Sequence, residues 1–295
     1  MEILYTIKLT PITNQLNYFN IKNIYYIYKL LYIKLSRCYK LSDITLFQGD
    51  CIELMNNICE ESIDLILCDL PYGKTNCTWD IIIPFESLWK QYNRIIKPNG
   101  VIALFGIEPF SSLLRVSNIK DYKYDWIWKK PKGTGFLNAQ KQPLRDVEII
   151  SIFYKNQCTY NPQLTKGTPY KGKSGKTVKI NNKGDTTYGK FFNGQGFRND
   201  NDGFRYPKQV IEFGVVERNT LHPTQKPVEL LEYLIKTYTN EEETVLDNCM
   251  GSGSTGVACV NTNRNFIGIE LNEEYFNTAK QRIKLSKLNK PVKLF

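Results

Sequence analysis

The segment TVLDNCMGSGSTGVACVNTNRNFIGIEL, from Thr244 to Leu271, decides the fold class of this chain. Its first residues predict a strand, and the glycines that follow stand in G-x-G-x-x-G order in front of a predicted helix. The apolar run NFIGIEL predicts the next strand, and its Glu270 lies nineteen residues after Gly251. A glycine loop between a strand and a helix, with an acid at the end of the next strand, is typical of nucleotide-binding βαβ units. A purely structural turn is the alternative interpretation.

The acid that precedes these glycines distinguishes two kinds of nucleotide. Asp247 lies four residues before Gly251, at the end of the predicted strand. A dinucleotide would bring a pyrophosphate against the loop and the helix N-terminus, where a carboxylate would repel it. S-adenosylmethionine would instead bring an ammonium and a sulfonium, which a carboxylate attracts. The sequence therefore favours S-adenosylmethionine over a dinucleotide.

Predicted strands and helices alternate along the chain from Asp43. ITLFQGD, IDLILCDL, VIALFG, YDWIWKK and VEIISIFYK predict strands, and CIELMNNI and FESLWKQYNRII predict helices. The run from Ile63 to Leu70 is almost continuously apolar, which is typical of a strand covered on both faces. We therefore predict an α/β fold with a mostly parallel sheet and helices on both faces.

The sequence CDLPYG continues this apolar run and combines groups suited to chemistry on an amine. The lone pair of an exocyclic base amine is delocalised into the ring, and two hydrogen-bond acceptors beside its N–H bonds can free it. Asp69 offers a carboxylate and Leu70 a carbonyl, while Pro71 restricts the backbone that carries them. The ring of Tyr72 can stack on an extruded base, which contributes roughly 1–3 kcal/mol. Extrusion itself costs a few kcal/mol. The alternative is a strand-ending turn in which Tyr72 covers the core.

The charge of the chain predicts an anionic partner. The 295 residues carry a formal net charge of +10, and nucleic acid is the commonest partner of a basic globular protein, with an acidic membrane surface as the alternative. The stretch from Leu164 to Lys208 holds ten Lys and Arg against three Asp, without helical or strand periodicity. A segment of this length is either functional or disordered. It is therefore a candidate nucleic-acid contact or a solvated lysine-rich loop.

Cysteine, histidine and hydropathy patterns argue against a zinc protein and a membrane protein. The eight cysteines form no C-x-x-C pair and the single histidine is His222, so the clustered ligands of tetrahedral zinc are missing. Scattered thiols are typical of reduced cysteines in the cytoplasm, where we expect the protein. Lysines interrupt the stretch before residue 43, so no run reaches the roughly 18 apolar residues of a membrane span. That stretch is either a basic amphipathic helix or a poorly ordered extension.

Taken together, DLPY and LDNCMGSGS resemble two motifs of the amino-group DNA methyltransferases, which modify adenine N6 or cytosine N4. In that family a D/N/S-P-P-Y tetrad is catalytic and a D-x-F-x-G-x-G loop binds S-adenosylmethionine. Here the tetrad precedes the glycine loop and a basic segment separates them, which is the order of the beta group. The resemblance covers roughly residues 43–285. It implies a Rossmann-like S-adenosylmethionine-dependent methyltransferase fold with the basic insertion as target-recognition region.

The resemblance also implies roles for individual residues. The stretch HPTQKP, whose backbone His222 is expected to shape, matches the family's wall at the methionine end of the cofactor. Asp50 matches its acid near the cofactor's adenine, and Glu270 its ribose-binding acid. The implied catalytic residues are Asp69, Leu70, Pro71 and Tyr72, and the implied cofactor-binding residues are Asp50, Lys226, Asp247, Gly251, Gly253 and Glu270. The implied DNA-binding residues are Lys171, Lys173, Lys176, Lys179, Lys183, Lys190, Arg198 and Arg205. No metal site is expected.

The same resemblance divides the chain and indicates its partners. Residues 1–42 are an N-terminal extension, 43–160 the catalytic half of the methyltransferase domain and 161–220 the target-recognition insertion. Residues 221–287 are the cofactor-binding half and 288–295 a tail. Double-stranded DNA is the expected substrate. A homodimer and a cognate restriction endonuclease are open possibilities.

Two positions depart from the family pattern. Leu70 replaces the tetrad's proline, which keeps the carbonyl but loosens the backbone, and Cys249 replaces the usual phenylalanine of the cofactor loop. The leading Asp69 favours adenine, because the cytosine enzymes more often carry serine. We therefore predict site-specific adenine-N6 methylation of DNA. The alternatives are cytosine-N4 methylation, an RNA or protein-amide substrate, a catalytically idle DNA-binding relative and an NAD-dependent enzyme.

Overall fold

The structure is a computed structural model that describes residues 43–73, 80–170, 202–215 and 225–289. The predicted N-terminal extension lies outside the described residues. So do His222 and all the predicted DNA-binding residues except Arg205.

An eight-stranded sheet organises the described residues. In spatial order its strands are β1 (Ile44–Gln48), β10 (Asn265–Glu270), β9 (Thr244–Asp247), β2 (Ile63–Cys68), β3 (Ile96–Gly106), β5 (Arg145–Phe153), β4 (Tyr122–Thr134) and β8 (Val210–Glu212). The first five of these are mutually parallel, and β5 runs antiparallel to both of its neighbours. The short strands β6 (Thr165–Lys166) and β7 (Phe204–Arg205) pair separately. The predicted mostly parallel sheet is confirmed.

Helices cover both faces of this sheet. They are α1 (Cys51–Met55), α2 (Phe85–Ile95), α3 (Phe110–Ser117), α4 (Val228–Tyr238), α5 (Ser254–Thr262) and α6 (Glu273–Asn289). Alternate side chains of β2 enter opposite cores: Leu65 and Leu67 pack on the side of α4 to α6, and Ile66 and Cys68 on the side of α1 to α3. This two-sided burial explains why the strand is apolar at nearly every position.

One predicted boundary was wrong. The helix predicted over FESLWKQYNRII ends at Ile95, and β3 begins at Ile96, because Ile96 pairs with Ile63 of the neighbouring strand. Here tertiary pairing overrides the helical pattern. The helix α4 begins at Val228, directly after Pro227, whose ψ of 134° is extended.

The cysteines depart in part from the expected reduced state. Five of those in the described ranges are free thiols, whereas Cys59 is disulfide-bonded. Across the same ranges, no group of three or more His, Cys, Asp or Glu is arranged to hold a metal ion. None of the helices described above is long and apolar enough to cross a membrane.

The topology places four carboxylates along one edge of the sheet. Since β1, β10, β9 and β2 are parallel, their carboxyl ends lie on the same side. Asp50 follows β1 closely, Glu270 ends β10, Asp247 ends β9 and Asp69 follows β2 directly. Ligands of open α/β sheets bind at this edge, so the fold itself positions the candidate site.

Candidate functional site

A cleft of about 1250 Å³ opens at this edge of the sheet. Its volume exceeds the roughly 300–1,000 Å³ of common small-molecule sites, so it has room for a cofactor together with a second reactant. The predicted catalytic and cofactor residues that line it are Asp50, Asp69, Leu70, Pro71, Tyr72, Lys226, Asp247, Gly251 and Glu270. Gly253 does not line the cleft.

Asp247 is the most deeply buried carboxylate of the cleft, with 4% of its surface exposed. The Thr255 hydroxyl donates a hydrogen bond to Asp247 Oδ2 at 2.6 Å, and the Cys249 backbone N–H donates to Oδ1 at 3.1 Å. Burial nevertheless raises the pKa of Asp247 to about 7. A carboxylate held in place but short of countercharge is suited to binding a cationic group.

Glu270 joins the glycine loop to the end of β10. The Gly251 N–H donates to Glu270 Oε2 at 2.8 Å, and the Asn272 N–H donates to Oε1 at 2.8 Å. Burial raises the pKa of this carboxyl group. Both oxygens keep a second acceptor site, so the side chain can also bind a ribose diol.

Asp50 and Gly253 fix the backbone next to the cleft. Asp50 caps α1, since its Oδ1 accepts from the Ile52 and Glu53 N–H groups at 2.8 and 3.0 Å. Gly253 has a φ of +79°, and a Cβ there would lie 2.8 Å from Ala279 Cβ. Only glycine fits this left-handed, closely packed position, so Gly253 sets the path of the loop from behind the cleft.

The tetrad residues form a compact hydrogen-bonded group after β2. The Tyr72 hydroxyl donates to Asp69 Oδ1, and the Lys226 ammonium donates to Oδ2 at 2.5 Å. The Tyr72 ring lies 5.0 Å from that of Phe110, while the Leu70 side chain is buried in the core. Burial raises the pKa of Asp69, although the neighbouring Lys226 opposes the shift. Asp69 therefore ends in two acceptor oxygens, each occupied by a donor of the protein.

Lys226 belongs to a chain of four alternating charges. Its Nζ lies 3.3 Å from Glu148 Oε2, and the Lys130 ammonium pairs with Glu148 Oε1. Burial favours the neutral form of each group, but the neighbouring opposite charges outweigh this effect. Lys226 and Lys130 lower the pKa of Glu148. Asp69 and Glu148 raise the pKa of Lys226. The chain runs Asp69, Lys226, Glu148, Lys130 and carries no net charge.

Sequence reasoning missed Glu148 and Lys130. The one signal for Glu148 was a charged residue inside the apolar run VEIISIF of β5. Lys226 was predicted at the cofactor, and the structure places its ammonium against the tetrad.

Arg205 is the one predicted DNA-binding residue that the structure describes. Its guanidinium donates to the Thr168 carbonyl at 2.6 Å and lies 5.0 Å from the centre of the Tyr170 ring. These contacts join β7 to the chain after β6, and Arg205 does not line the cleft.

Comparisons with known proteins point to one family. A family model described as DNA methylase, of the N6/N4 methyltransferase type, matches residues 63–281. The chain is 29% identical over 258 residues to the type II methyltransferase M.HpaI of Haemophilus parainfluenzae, across 82% of this chain and 74% of the relative. It is 28% identical over 279 residues to M.HinfI of Haemophilus influenzae, across 83% and 69%.

Solved structures share the fold. The crystal structure of the M1.HpyAVI–SAM complex matches with a TM-score of 0.55 and 26% identity, across 81% of this chain and 98% of that one. The PvuII DNA methyltransferase, described as cytosine-N4-specific, also matches with a TM-score of 0.55, at 17% identity and across 85% and 95%. At that identity the second likeness concerns the fold alone.

Proposed function

The chain belongs to the DNA methylase family of N6/N4 amino-methyltransferases, and we propose that its target is adenine, methylated at N6. It is an S-adenosylmethionine-dependent, site-specific DNA methyltransferase. The observation that carries the choice of adenine is the carboxylate of Asp69 at the head of the tetrad, since the cytosine enzymes of this family more often carry serine there.

We assign the amine chemistry to Asp69 and the Leu70 carbonyl. S-adenosylmethionine, when bound, supplies the methyl group on a sulfonium. Asp69 and the Leu70 carbonyl accept hydrogen bonds from the target amine, which localises the lone pair on its nitrogen. Asp69 then accepts the proton that this nitrogen releases after it has taken the methyl group. The raised pKa of Asp69 favours that proton transfer.

The remaining residue roles follow from the carboxylates that line the cleft. Asp247 is the proposed partner of the cofactor's ammonium, Glu270 of its ribose and Asp50 of its adenine. Tyr72 is proposed to stack on the extruded base. The buried anion of Asp247 and the Glu270 carboxylate held by the glycine loop fit the cationic and ribose ends of this cofactor. The Asp50 carboxylate at the rim can accept a hydrogen bond from the amine of its adenine.

The identity of the base is tested by expressing the chain in a host that lacks DNA methylation. We expect N6-methyladenine in one recurrent short context, detected by long-read sequencing and confirmed by mass spectrometry of the nucleosides. N4-methylcytosine would keep the family and overturn the choice of adenine. Cofactor binding without methylation of any DNA would favour the idle DNA-binding alternative, with Leu70 as the first position to restore to proline.

We propose residues 161–220 as the target-recognition region and their lysines as phosphate contacts. Neutralising about six to ten phosphates makes binding weaken by about 10³-fold or more between 50 and 200 mM salt. Replacing Lys173 and Lys176 by serine should reduce the slope of log affinity against log salt by about 1.8. The matched control replaces Lys280 and Lys284, which are exposed on α6, and should leave the slope unchanged. Equal slopes for all three proteins would remove this segment from the DNA interface.

A cognate restriction endonuclease is the functional partner that we propose, because the relatives are type II methyltransferases. Methylation by this chain should then protect DNA from an endonuclease that cuts the same sequence. Cleavage of fully methylated DNA at that sequence would count against such a pairing.

A further inference from the structure

The Lys226 ammonium occupies the acceptor that the target amine needs. It lies 2.5 Å from Asp69 Oδ2, and Oδ1 already accepts from the Tyr72 hydroxyl. Lys226 is itself buried, with 8% of its side chain exposed, so no water shell is available to take up its charge. An amine that binds Asp69 competes with this ammonium for the charge of Oδ2, and an ammonium that gives way needs another anion nearby.

Glu148 provides that anion. Its Oε2 is buried and has no hydrogen bond of good geometry within the described ranges, while the Lys226 ammonium forms a longer ion pair with it at 3.3 Å. A buried carboxylate oxygen that has only this longer contact can still accept a shorter, charge-assisted hydrogen bond. The other oxygen, Oε1, is held by Lys130, which fixes the side chain while Oε2 stays available to Lys226.

We propose that Glu148 is a positioning residue that receives the Lys226 ammonium when the target amine binds Asp69. The Lys226 ammonium then has two positions. It donates to Asp69 in the free enzyme, and it donates to Glu148 Oε2 when the base is bound. This inference rests on the proposed function, since it concerns the same amine. It adds a role for Glu148 that acts through Lys226 and not through the substrate.

The exchange favours the transition state over the ground state. While Lys226 holds Asp69, the carboxylate charge is neutralised and the oxygen is a weak acceptor. Once Lys226 moves to Glu148, the Asp69 charge acts on the amine nitrogen, which becomes positive as the methyl group arrives. Interactions that strengthen as charge develops lower the barrier. The total charge of the four residues does not change, so no proton has to enter or leave.

The test is Glu148→Gln in the full-length protein, with single-turnover methyl transfer and cofactor affinity as readouts. We expect the transfer rate to fall about 10- to 100-fold, as for a misplaced catalytic group, with cofactor affinity within about twofold. The control is Glu212→Gln, since Glu212 is exposed and pairs with Lys129 at 3.0 Å. That variant should keep the wild-type rate.

A double-mutant cycle separates this role from a structural one. If Glu148 acts through Lys226, Glu148→Gln should cause almost no further loss of transfer rate in a protein that already carries Lys226→Met. Independent, multiplying losses would overturn the inference, as would a wild-type rate for Glu148→Gln. Should Glu148→Gln fail to bind cofactor, Glu148→Asp carries the same cycle with the charge retained. Wild-type transfer to DNA tests the proposed function, and the coupling between positions 148 and 226 tests this inference.

Discussion

Replacing Asp69 by asparagine is expected to lower kcat for methyl transfer by about 10³-fold, within the range seen when one electrostatic or acid–base group is removed. The amide keeps the shape of the side chain but lacks the charge that stabilises the developing positive nitrogen, and it cannot take up the released proton. Lys226 keeps Glu148 as a partner at 3.3 Å, so the buried ammonium is not left alone. Cofactor affinity should therefore stay within about twofold of the wild type. Tritium transfer from labelled S-adenosylmethionine measures the first quantity and calorimetry the second.

Asp64→Asn is the matched control for this experiment. Asp64 lies at the opposite end of β2 from Asp69, where its carboxylate pairs with Lys97 at 2.7 Å. Its replacement should leave kcat unchanged. Parallel losses of kcat and cofactor affinity in Asp69→Asn would mean that Asp69 supports the fold of the cleft, and a wild-type kcat would remove it from the chemistry.

The carboxylates of the cleft were predictable because the sheet is parallel. Asp247 and Glu270 each end an apolar run, and the carboxyl ends of parallel strands share one edge. Asp69 follows such a run directly. The strand pattern and the glycine loop therefore suffice to place these three side chains near one another.

The partners of Asp69 were not predictable in the same way. Lys226 lies 157 residues from Asp69, and the direction of a lysine depends on the anions that fold around it. Glu148 reaches Lys226 because β5 lies between β3 and β4 and runs antiparallel to both. The apolar run of β5 carries no information about that order. Strand order and side-chain direction are tertiary properties, so a single charged residue in a strand did not reveal its partner.

Replacing Asp247 by asparagine is expected to weaken S-adenosylmethionine binding by about 2–5 kcal/mol, or roughly 30-fold and more, as for loss of one partner in a buried charge pair. The amide oxygen can still accept from the Thr255 hydroxyl or from the Cys249 backbone N–H, which both donate to Asp247, so the loop should keep its path. What is lost is the negative charge opposite the cofactor's ammonium. Calorimetric titration of wild type, Asp247→Asn and the Asp64→Asn control measures the difference. Equal affinities for all three proteins would remove Asp247 from the cofactor site.

The pH dependence of cofactor binding gives the same carboxylate a second, independent test. Burial raises the pKa of Asp247 in the free protein to about 7, and only the ionised form attracts an ammonium. The ionised fraction falls about tenfold between pH 8 and pH 6, and the contribution of this carboxylate to cofactor affinity should fall with it. The stability of the free protein depends on pH in the opposite direction. Because the pKa of Asp247 is raised in the folded state, this group stabilises the fold most at pH values below the ordinary carboxyl range. That contribution is lost as the pH rises through 7. Asp247→Asn should abolish this part of the pH dependence, and Asp64→Asn should retain it. The same pH dependence in the wild type and in Asp247→Asn from pH 6 to pH 8 would show that the ammonium binds elsewhere in the cleft.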